Sequence, residues 1–359
     1  MRSGEWRIPK RRVRAEDVRK LLNTLYVTTQ GAYLAKDGET VAVRVGDETR
    51  LALPIHTIEG IVCFGQISCS PFLLGLCAER GVGLSWLTEH GRFLARMTGP
   101  VSGNVLLRRR QYRAADIEDE AASIAGNCVA AKIANARIVL QRGAREREGS
   151  IPETLRNAVD EMAPMADRAL AARSRDRIRG LEGDAARTYF GAFDGLVVED
   201  KACFFFRERS RRPPLDNVNA LLSFAYTLLT HDVVGALESV GLDPQVGFLH
   251  TERPGRPSLA LDLMEELRPV LADRFVVSLI NRRQVRAKGF TRTESGAVTM
   301  DDETRREVLV AWQKRKLDEI IHPFLEEKIA MGLLPYVQSL LLARHLRGDL
   351  DEYPPFFWK

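Results

Sequence analysis

The feature that most constrains this chain is a change of hydrophobic rhythm at Gly99-Pro100. Before it, short runs rich in Val, Ile, Thr and Tyr succeed one another: Leu22 to Thr28, Ala32 to Lys36, Thr40 to Val45, Thr49 to Leu53 and Thr57 to Phe64. Breakers at Gln30-Gly31, Asp37-Gly38 and Gly46-Asp47 separate them, and their glycines supply the positive φ of tight hairpins. A short helix is expected over Pro71 to Arg80, then strands Gly83 to Thr88 and Arg92 to Met97 about the turn His90-Gly91. From about Asn104 onward the apolar residues recur at three- and four-residue intervals, as in Ile124, Cys128, Ala131, Ile133 and Ile138. That is the spacing of amphipathic helices. It predicts helices over Ile117 to Arg142, Ile151 to Arg179, Asn217 to Ser239, Ser258 to Ile280 and Thr304 to Ile329, with Gly143 to Ser150 as a surface connection. The two rhythms are segregated along the chain, so the predicted fold is a segregated α+β protein. A mostly antiparallel β domain spans 21–100 and an all-α domain spans 101–346. A basic extension (1–20) and a Pro/aromatic tail (347–359) flank them.

With 359 residues the chain is long enough for two ordinary domains, and 45% hydrophobic with 28% charged content is that of a globular protein. No run approaches the roughly 18 apolar residues of a membrane span, and the basic N-terminus has no apolar core like that of a signal peptide. A cytoplasmic location is the expectation. Five scattered cysteines without CxxC spacing argue against a zinc ribbon or a disulfide framework; most are expected to be small buried residues. The net charge of +5 says little by itself. Its distribution says more. Arg274 to Arg292 holds six basic residues and no acidic one, and arginines crowd both sides of Glu182 at 173, 175, 177 and 179 and at 207, 209, 211 and 212. Such clusters suit a polyanion such as nucleic acid, although solvated helix faces would produce the same pattern.

Three groups that could do chemistry sit in otherwise apolar or glycine-rich surroundings. Glu182 is flanked by Gly180 and Gly183. His250 closes the run Val246-Gly-Phe-Leu-His250. Asp262 and Glu265 share one face of the helix expected to begin near Ser258, where Ser258 is a natural N-cap. Burying the lone carboxylate of Asp262 among Leu259, Leu261, Leu263 and Met264 calls for a compensating cation. Carboxylates plus one imidazole, with positions left open for water and phosphate oxygen, suit Mg²⁺ or Mn²⁺. Arg256, Arg282, Arg283, Arg286 and Lys288 are candidate phosphate contacts. Plainer readings account for the same residues one at a time: a solvated turn glutamate, a hydrogen-bonded structural histidine, and an acidic pair facing water or Arg268.

As a set, however, the residues resemble the CRISPR-associated adaptation integrase family. The likeness rests on Arg179-Gly-Leu-Glu-Gly-Asp-Ala-Ala-Arg187 with Tyr189-Phe190, and on Gly247-Phe-Leu-His250 leading through Gly255-Arg-Pro257 into Leu259-Ala-Leu-Asp-Leu-Met-Glu265 and Arg268-Pro269. Between them, Pro213 to Tyr226 is similar to the family's core helix. Leu22 to Leu34 and Leu53 to Val62 resemble its opening β domain, most of all in members associated with type I-C systems. The resemblance implies a homodimer formed through the β domains and a metal held by Glu182, His250 and Glu265. It implies that Asp262 is a supporting acidic residue or an occasional ligand. It also implies a small ferredoxin-like companion subunit and, in type I-C systems, an iron–sulfur nuclease that trims the incoming DNA.

The expected reaction is transesterification, in which the 3′-hydroxyl of a short DNA fragment attacks a phosphodiester at a repeat boundary. Two rivals stay open: a metal-dependent nuclease that only cuts, and a non-catalytic DNA-binding scaffold. For the tail, Tyr353, Phe356, Phe357 and Trp358 with Pro354-Pro355 are expected either to dock on a partner subunit or to fold back on the helical domain.

Overall fold

The computed structural model describes residues 24–58, 60–88, 93–97, 105–146 and 151–358. The basic extension 1–20, the turn His90-Gly91 and the boundary Gly99-Pro100 lie outside them. The first half contains two four-stranded sheets. β1 (Thr24–Val27), β2 (Tyr33–Asp37), β3 (Thr40–Val45), β4 (Glu48–Pro54), β5 (Gly60–Phe64) and β6 (Ser68–Cys69) are followed by helix α1 (Pro71–Arg80) and strands β7 (Gly83–Leu87) and β8 (Phe93–Met97). One sheet has the order β1-β5-β7-β8, the other β4-β3-β2-β6.

Parallel pairing is more extensive than expected: β1/β5, β5/β7 and β2/β6 are parallel, beside the antiparallel β2/β3, β3/β4 and β7/β8. For β5/β7 the reason is α1. A helix between two strands of one sheet makes a crossover, and a crossover delivers the next strand parallel. The helix itself follows local chemistry: the Ser70 side chain accepts from Leu73 N–H, Pro71 opens the first turn, and Gly81 ends it at φ 70°. The sheets enclose a small core around Leu34, Val41, Ile61, Leu73, Leu76 and Leu84. Cys63 and Cys77 join it, and burial pushes their thiols up to about 12 and about 11.

The second half is helical: α2 (Val105–Asp116), α3 (Glu118–Arg145), α4 (Glu153–Met162), α5 (Met165–Ala171), α6 (Arg175–Phe193), α7 (Asn217–Ser239), α8 (Ser258–Leu267) and α9 (Arg274–Asn281). After α9 come β9 (Phe290–Arg292), β10 (Val298–Met300), α10 (Asp302–Leu317), β11 (Glu319–Ile321), β12 (Lys328–Ala330) and α11 (Leu334–Arg347). It is therefore not purely α: β9/β10 and β11/β12 form two antiparallel ribbons. The second ribbon replaces the expected continuation of the helix from Thr304 to Ile329. Helix α10 stops at Leu317, and the β-branched pair Ile320-Ile321 leads into a turn where Pro323 can no longer donate. The stretch from Ile151 to Arg179 is likewise broken, at Pro164 and again before Arg175. Conversely, Gly143 lies inside α3 rather than in a connection. A Cβ there would overlap Leu196, so the glycine permits a close crossing.

The spine of this half is α3, whose buried Ala121, Ala122, Ala125, Ala130, Ala131 and Ala136 let α4, α5, α6 and α8 approach it closely. Helix α7 is long and apolar enough to cross a membrane, which the count of consecutive apolar residues did not anticipate. Here it is a core helix, with Val218, Leu221, Leu222, Leu228 and Leu229 buried. It also joins the halves: Phe224 packs on Phe64 of β5 at 6.0 Å between ring centroids, and Glu238 pairs with Arg96 of β8.

The tail folds back on the helical half, the second of the two expectations for it. Tyr353 and Phe356 are fully buried. The Tyr353 hydroxyl donates to Glu266 and accepts from Gln338 Nε2 at 2.7 Å, while Phe356 N–H donates to Glu266 at 2.6 Å. Asn135 of α3 donates to the Phe356 carbonyl at 2.8 Å and accepts from Trp358 N–H at 2.8 Å. The Trp358 ring lies 3.8 Å from the guanidinium of Arg142 and 5.1 Å from that of Arg274.

Candidate active site on the helical half

Helix α8 begins one residue earlier in its capping role than its sequence suggests. Pro257 is the cap, and Ser258 is buried in the first turn, its hydroxyl donating to the Thr251 carbonyl at 3.2 Å. One turn later Asp262 turns back onto the loop 246–250. One carboxylate oxygen accepts Phe248 N–H at 2.5 Å and Leu249 N–H at 2.9 Å; the other accepts His250 N–H at 2.9 Å and His250 Nδ1–H at 2.6 Å. So close an approach requires glycine at 247, where a Cβ would stand 2.7 Å from Asp262 Oδ2 and 2.8 Å from the Ser258 carbonyl carbon. With its oxygens committed to four donors, Asp262 works behind His250. A neutral ring that donates from Nδ1 keeps its lone pair on Nε2, and this nitrogen faces Glu265 Oε1 at 4.0 Å.

Glu265 projects from the same face three residues on. Arg268 Nη1 donates to both its oxygens, at 2.8 and 2.9 Å, and the Arg268 guanidinium lies 5.0 Å from the Tyr226 ring. Lys132 of α3 places its ammonium 2.6 Å from Glu265 Oε2 and also bonds Glu182 Oε1 of α6. Burial alone would raise the Glu265 carboxyl, but Arg268 and Lys132 hold it well below the usual carboxylate range, so it stays ionised at neutral pH. Glu265 thus meets Glu182 through the Lys132 ammonium shared at Oε2, and its Oε1 stands 4.0 Å from His250 Nε2, with Asp262 behind the imidazole. Nothing in the structure requires glycine at 180 or 183.

Two parts of the site were missed by sequence reasoning. Lys132 carried one available signal, a lone lysine in the small, apolar run Cys128-Val-Ala-Ala-Lys132-Ile-Ala. The other is a π-helical turn, Arg268–Asp273, inserted between α8 and α9. Pro269 cannot donate to the carbonyl of Glu265, and relieving that clash widens the helix. At π pitch, residues five apart share a face, so Arg268 and Asp273 both look into the cleft beside Glu182 that Lys132, Tyr189, Tyr226 and Arg211 also line. Asp273 accepts from Tyr226 OH at 2.6 Å and Tyr189 OH at 3.1 Å. Burial pushes its carboxyl up to about 6, against the pull of the tyrosines and of Arg268.

The candidate phosphate contacts lie elsewhere. Arg256 is half-buried in the turn before α8. Arg282, at the end of α9, is seventeen helical residues from Glu265, roughly 25 Å at 1.5 Å per residue. Arg283 pairs with Glu199 at 2.8 Å, and Arg286 and Lys288 are exposed in the following loop.

Among the described residues no three His, Cys, Asp or Glu side chains already stand as a cation cage. The donor types are nevertheless ones that suit Mg²⁺ or Mn²⁺: two carboxylates that already share a cation, and an imidazole lone pair beside one of them. A carboxylate has lone pairs enough to serve Arg268 and a cation together, so the residues fit the ion.

A strand-rich half followed by a helical half that carries an acid–imidazole cluster defines a recognisable class of α+β protein. The chain matches the model for the family "CRISPR associated protein Cas1" over residues 25–314. It is 54% identical over 343 residues to CRISPR-associated endonuclease Cas1 1 of Chlorobaculum tepidum, covering 95% of this chain and 100% of that relative. It is 36% identical to a CRISPR-associated exonuclease Cas4/endonuclease Cas1 fusion of Rhodospirillum rubrum, over 92% of this chain and 57% of the fusion. A casposase solved bound to its integration product shares the fold, with a TM-score of 0.78 at 23% identity over 94% of each chain. This chain belongs to the Cas1 family.

Proposed function

We propose that this chain is a metal-dependent DNA endonuclease and integrase of CRISPR adaptation, which joins the 3′-hydroxyl of a short DNA fragment to a phosphodiester of the repeat array. What carries the reading is Glu265, which shares the Lys132 ammonium with Glu182 and stands 4.0 Å from His250 Nε2, in a chain whose relative is named an endonuclease. Glu182, His250 and Glu265 would hold Mg²⁺ or Mn²⁺, which supplies Lewis-acid stabilisation of the phosphodiester under attack. The rest falls to the chain's own groups. Asp262 fixes the His250 tautomer so that Nε2 stays a lone-pair donor. Arg268 keeps Glu265 ionised and locked in one rotamer. The cleft beside Glu182 places positive charge and tyrosine hydroxyls where the reacting strand would lie. In the reaction the attacking hydroxyl gives up its proton as its oxygen forms a bond to phosphorus, the existing P–O3′ bond breaks, and the departing 3′-oxygen takes up a proton.

DNA is the substrate in this reading, with Arg256, Arg282, Arg283, Arg286 and Lys288 touching its backbone. If Arg282 and Arg286 neutralise phosphates, replacing both by Gln should make the salt dependence of DNA affinity shallower, by about 0.9 log units for each phosphate no longer neutralised; an unchanged slope would remove them from the interface. The partners we propose are a second copy of this chain joined through the β domains, a small ferredoxin-like subunit, and an iron–sulfur trimming nuclease. The R. rubrum relative, fused to an exonuclease, supports the last.

The decisive experiment incubates a labelled short duplex with supercoiled repeat DNA, Mn²⁺ and the companion subunit, and follows transfer of the label. Transfer that disappears in Glu182→Ala, His250→Ala and Glu265→Ala supports the integrase. Cleavage without transfer would identify a nuclease, and full function of Glu182→Ala would identify a scaffold.

A further inference from the structure

Lys132 is a charged side chain buried where a catalytic cation belongs, and the reaction above gives it no part. Its side chain is 11% exposed, and its ammonium is shared between Glu182 Oε1 and Glu265 Oε2. Resting on the metal reading given above, we propose that Lys132 is the site's internal counter-cation: a tethered ammonium that holds the two carboxylates until a divalent ion displaces it into the adjoining cleft.

The geometry argues for it. Lys132 holds one oxygen of each carboxylate, Glu182 Oε1 and Glu265 Oε2, and so occupies the position a bridging cation would take. Without it the partly exposed Glu182 and the buried Glu265 would lose the cation they share, at a cost to the fold. A divalent ion taking the same oxygens would be in contact with the ammonium, a strong like-charge repulsion. One of the site's resident cations must therefore leave.

Arg268 is not the one. Its guanidinium forks onto Glu265, stacks beside Tyr226 and is enclosed by the π turn. Lys132 holds its partners through one point charge on a flexible four-carbon stem, and it already lines the cleft next to Glu182. Swung there, it would face the strand whose phosphate the site acts on. The device has two consequences. The empty centre is stable without a metal, and metal affinity is lower than the bare ligand set would provide, because each ion bound must evict an ammonium.

The test is Mn²⁺ binding by titration calorimetry, with thermal unfolding in chelator and in Mn²⁺, on the full chain. Lys132→Met should bind Mn²⁺ more tightly than wild type, by about tenfold or more. It should melt below wild type in chelator and recover most of that loss in Mn²⁺. Wild-type binding that Glu182→Gln weakens, with an unchanged or weaker affinity in Lys132→Met, would overturn the role of Lys132 and leave the metal site standing. Absence of Mn²⁺ binding by wild type would overturn both. A second measurement needs no variant: amine-reactive labelling of Lys132, read by mass spectrometry, should be faster in wild-type protein once Mn²⁺ is added. Labelling at the same rate with and without the ion would overturn the displacement.

Discussion

Truncating Phe356 to alanine tests whether the C-terminal tail belongs to the core. The ring is fully buried, and its centroid lies 5.8 Å from that of His322. The substitution leaves the backbone anchors untouched, since Phe356 N–H still reaches Glu266 and the Phe356 carbonyl still receives Asn135. Held at both ends, the segment cannot collapse into the space the ring leaves. The cost should then fall within the usual range for a buried Phe→Ala change, about 3–5 kcal/mol. For a domain of this size each kcal/mol lowers the melting temperature by about 2–4 °C, so a drop near 10 °C is expected. Differential scanning calorimetry of the purified chain at one concentration, without partners, measures it. A melting temperature within about 2 °C of wild type would refute the buried tail, and the case would be closed against it if binding to a companion subunit were lost at the same time.

Three further outcomes follow from the site. Asp262→Asn presents an NH₂ group to three backbone N–H donors and to His250 Nδ1; strand transfer should fall by about 100-fold, at the upper end of what losing a ligand's supporting hydrogen bond costs, and a variant within threefold of wild type in a transfer assay would contradict the role given to Asp262. Gly247→Ala drives a methyl group into Asp262 and the Ser258 backbone, which should cost about 2 kcal/mol or more by urea denaturation; a neutral substitution would mean the loop is not held as described. Glu266 has a folded pKa near 7 because burial outweighs its hydrogen bonds, against an ordinary value of 4.5. The native state therefore binds the extra proton between those values, its stability is greatest below them, and stability falls as pH rises through about 7. Glu266→Gln should flatten that fall when urea midpoints at pH 5 and pH 7.5 are compared, and an undiminished slope would assign it to other groups.

What could be read in advance was whatever local chemistry decides. Helix α1 carries its own stop and start signals in Ser70, Pro71 and Gly81, and α7 and β3 occupy the spans their periodicity predicts. The family resemblance singled out Glu182, His250 and Glu265; in the fold Glu265 stands 4.0 Å from His250 Nε2 and is tied to Glu182 through Lys132. Features that depend on distant segments left no local trace. Parallel pairing of β5 with β7 depends on where α1 packs. The role of Lys132 depends on α3, α6 and α8 meeting at one point, and the burial of Tyr353 depends on Glu266, which sits beside a site residue but faces the other way. The ribbon after α10 was hidden because Ile320, Ile321 and Ile329 satisfy a helical rhythm as readily as a strand.

The π turn at Arg268–Asp273 has a meaning for how this stretch of chain tolerates changes in length. It acts as a phase adjuster between two helices with different obligations. Upstream, the angular position of α8 is dictated by chemistry, since Asp262 must reach the loop 246–250 and Glu265 must reach Lys132 of α3. Downstream, that of α9 is dictated by packing, since Phe275, Val276, Leu279 and Ile280 must face inward. A single residue removed from the turn would restore α pitch and rotate everything after it by about 100°. The charged centre would keep its shape, while Asp273 left its two tyrosines and the apolar stripe of α9 swung towards water. Substitutions inside this segment are constrained individually, but its length is constrained absolutely.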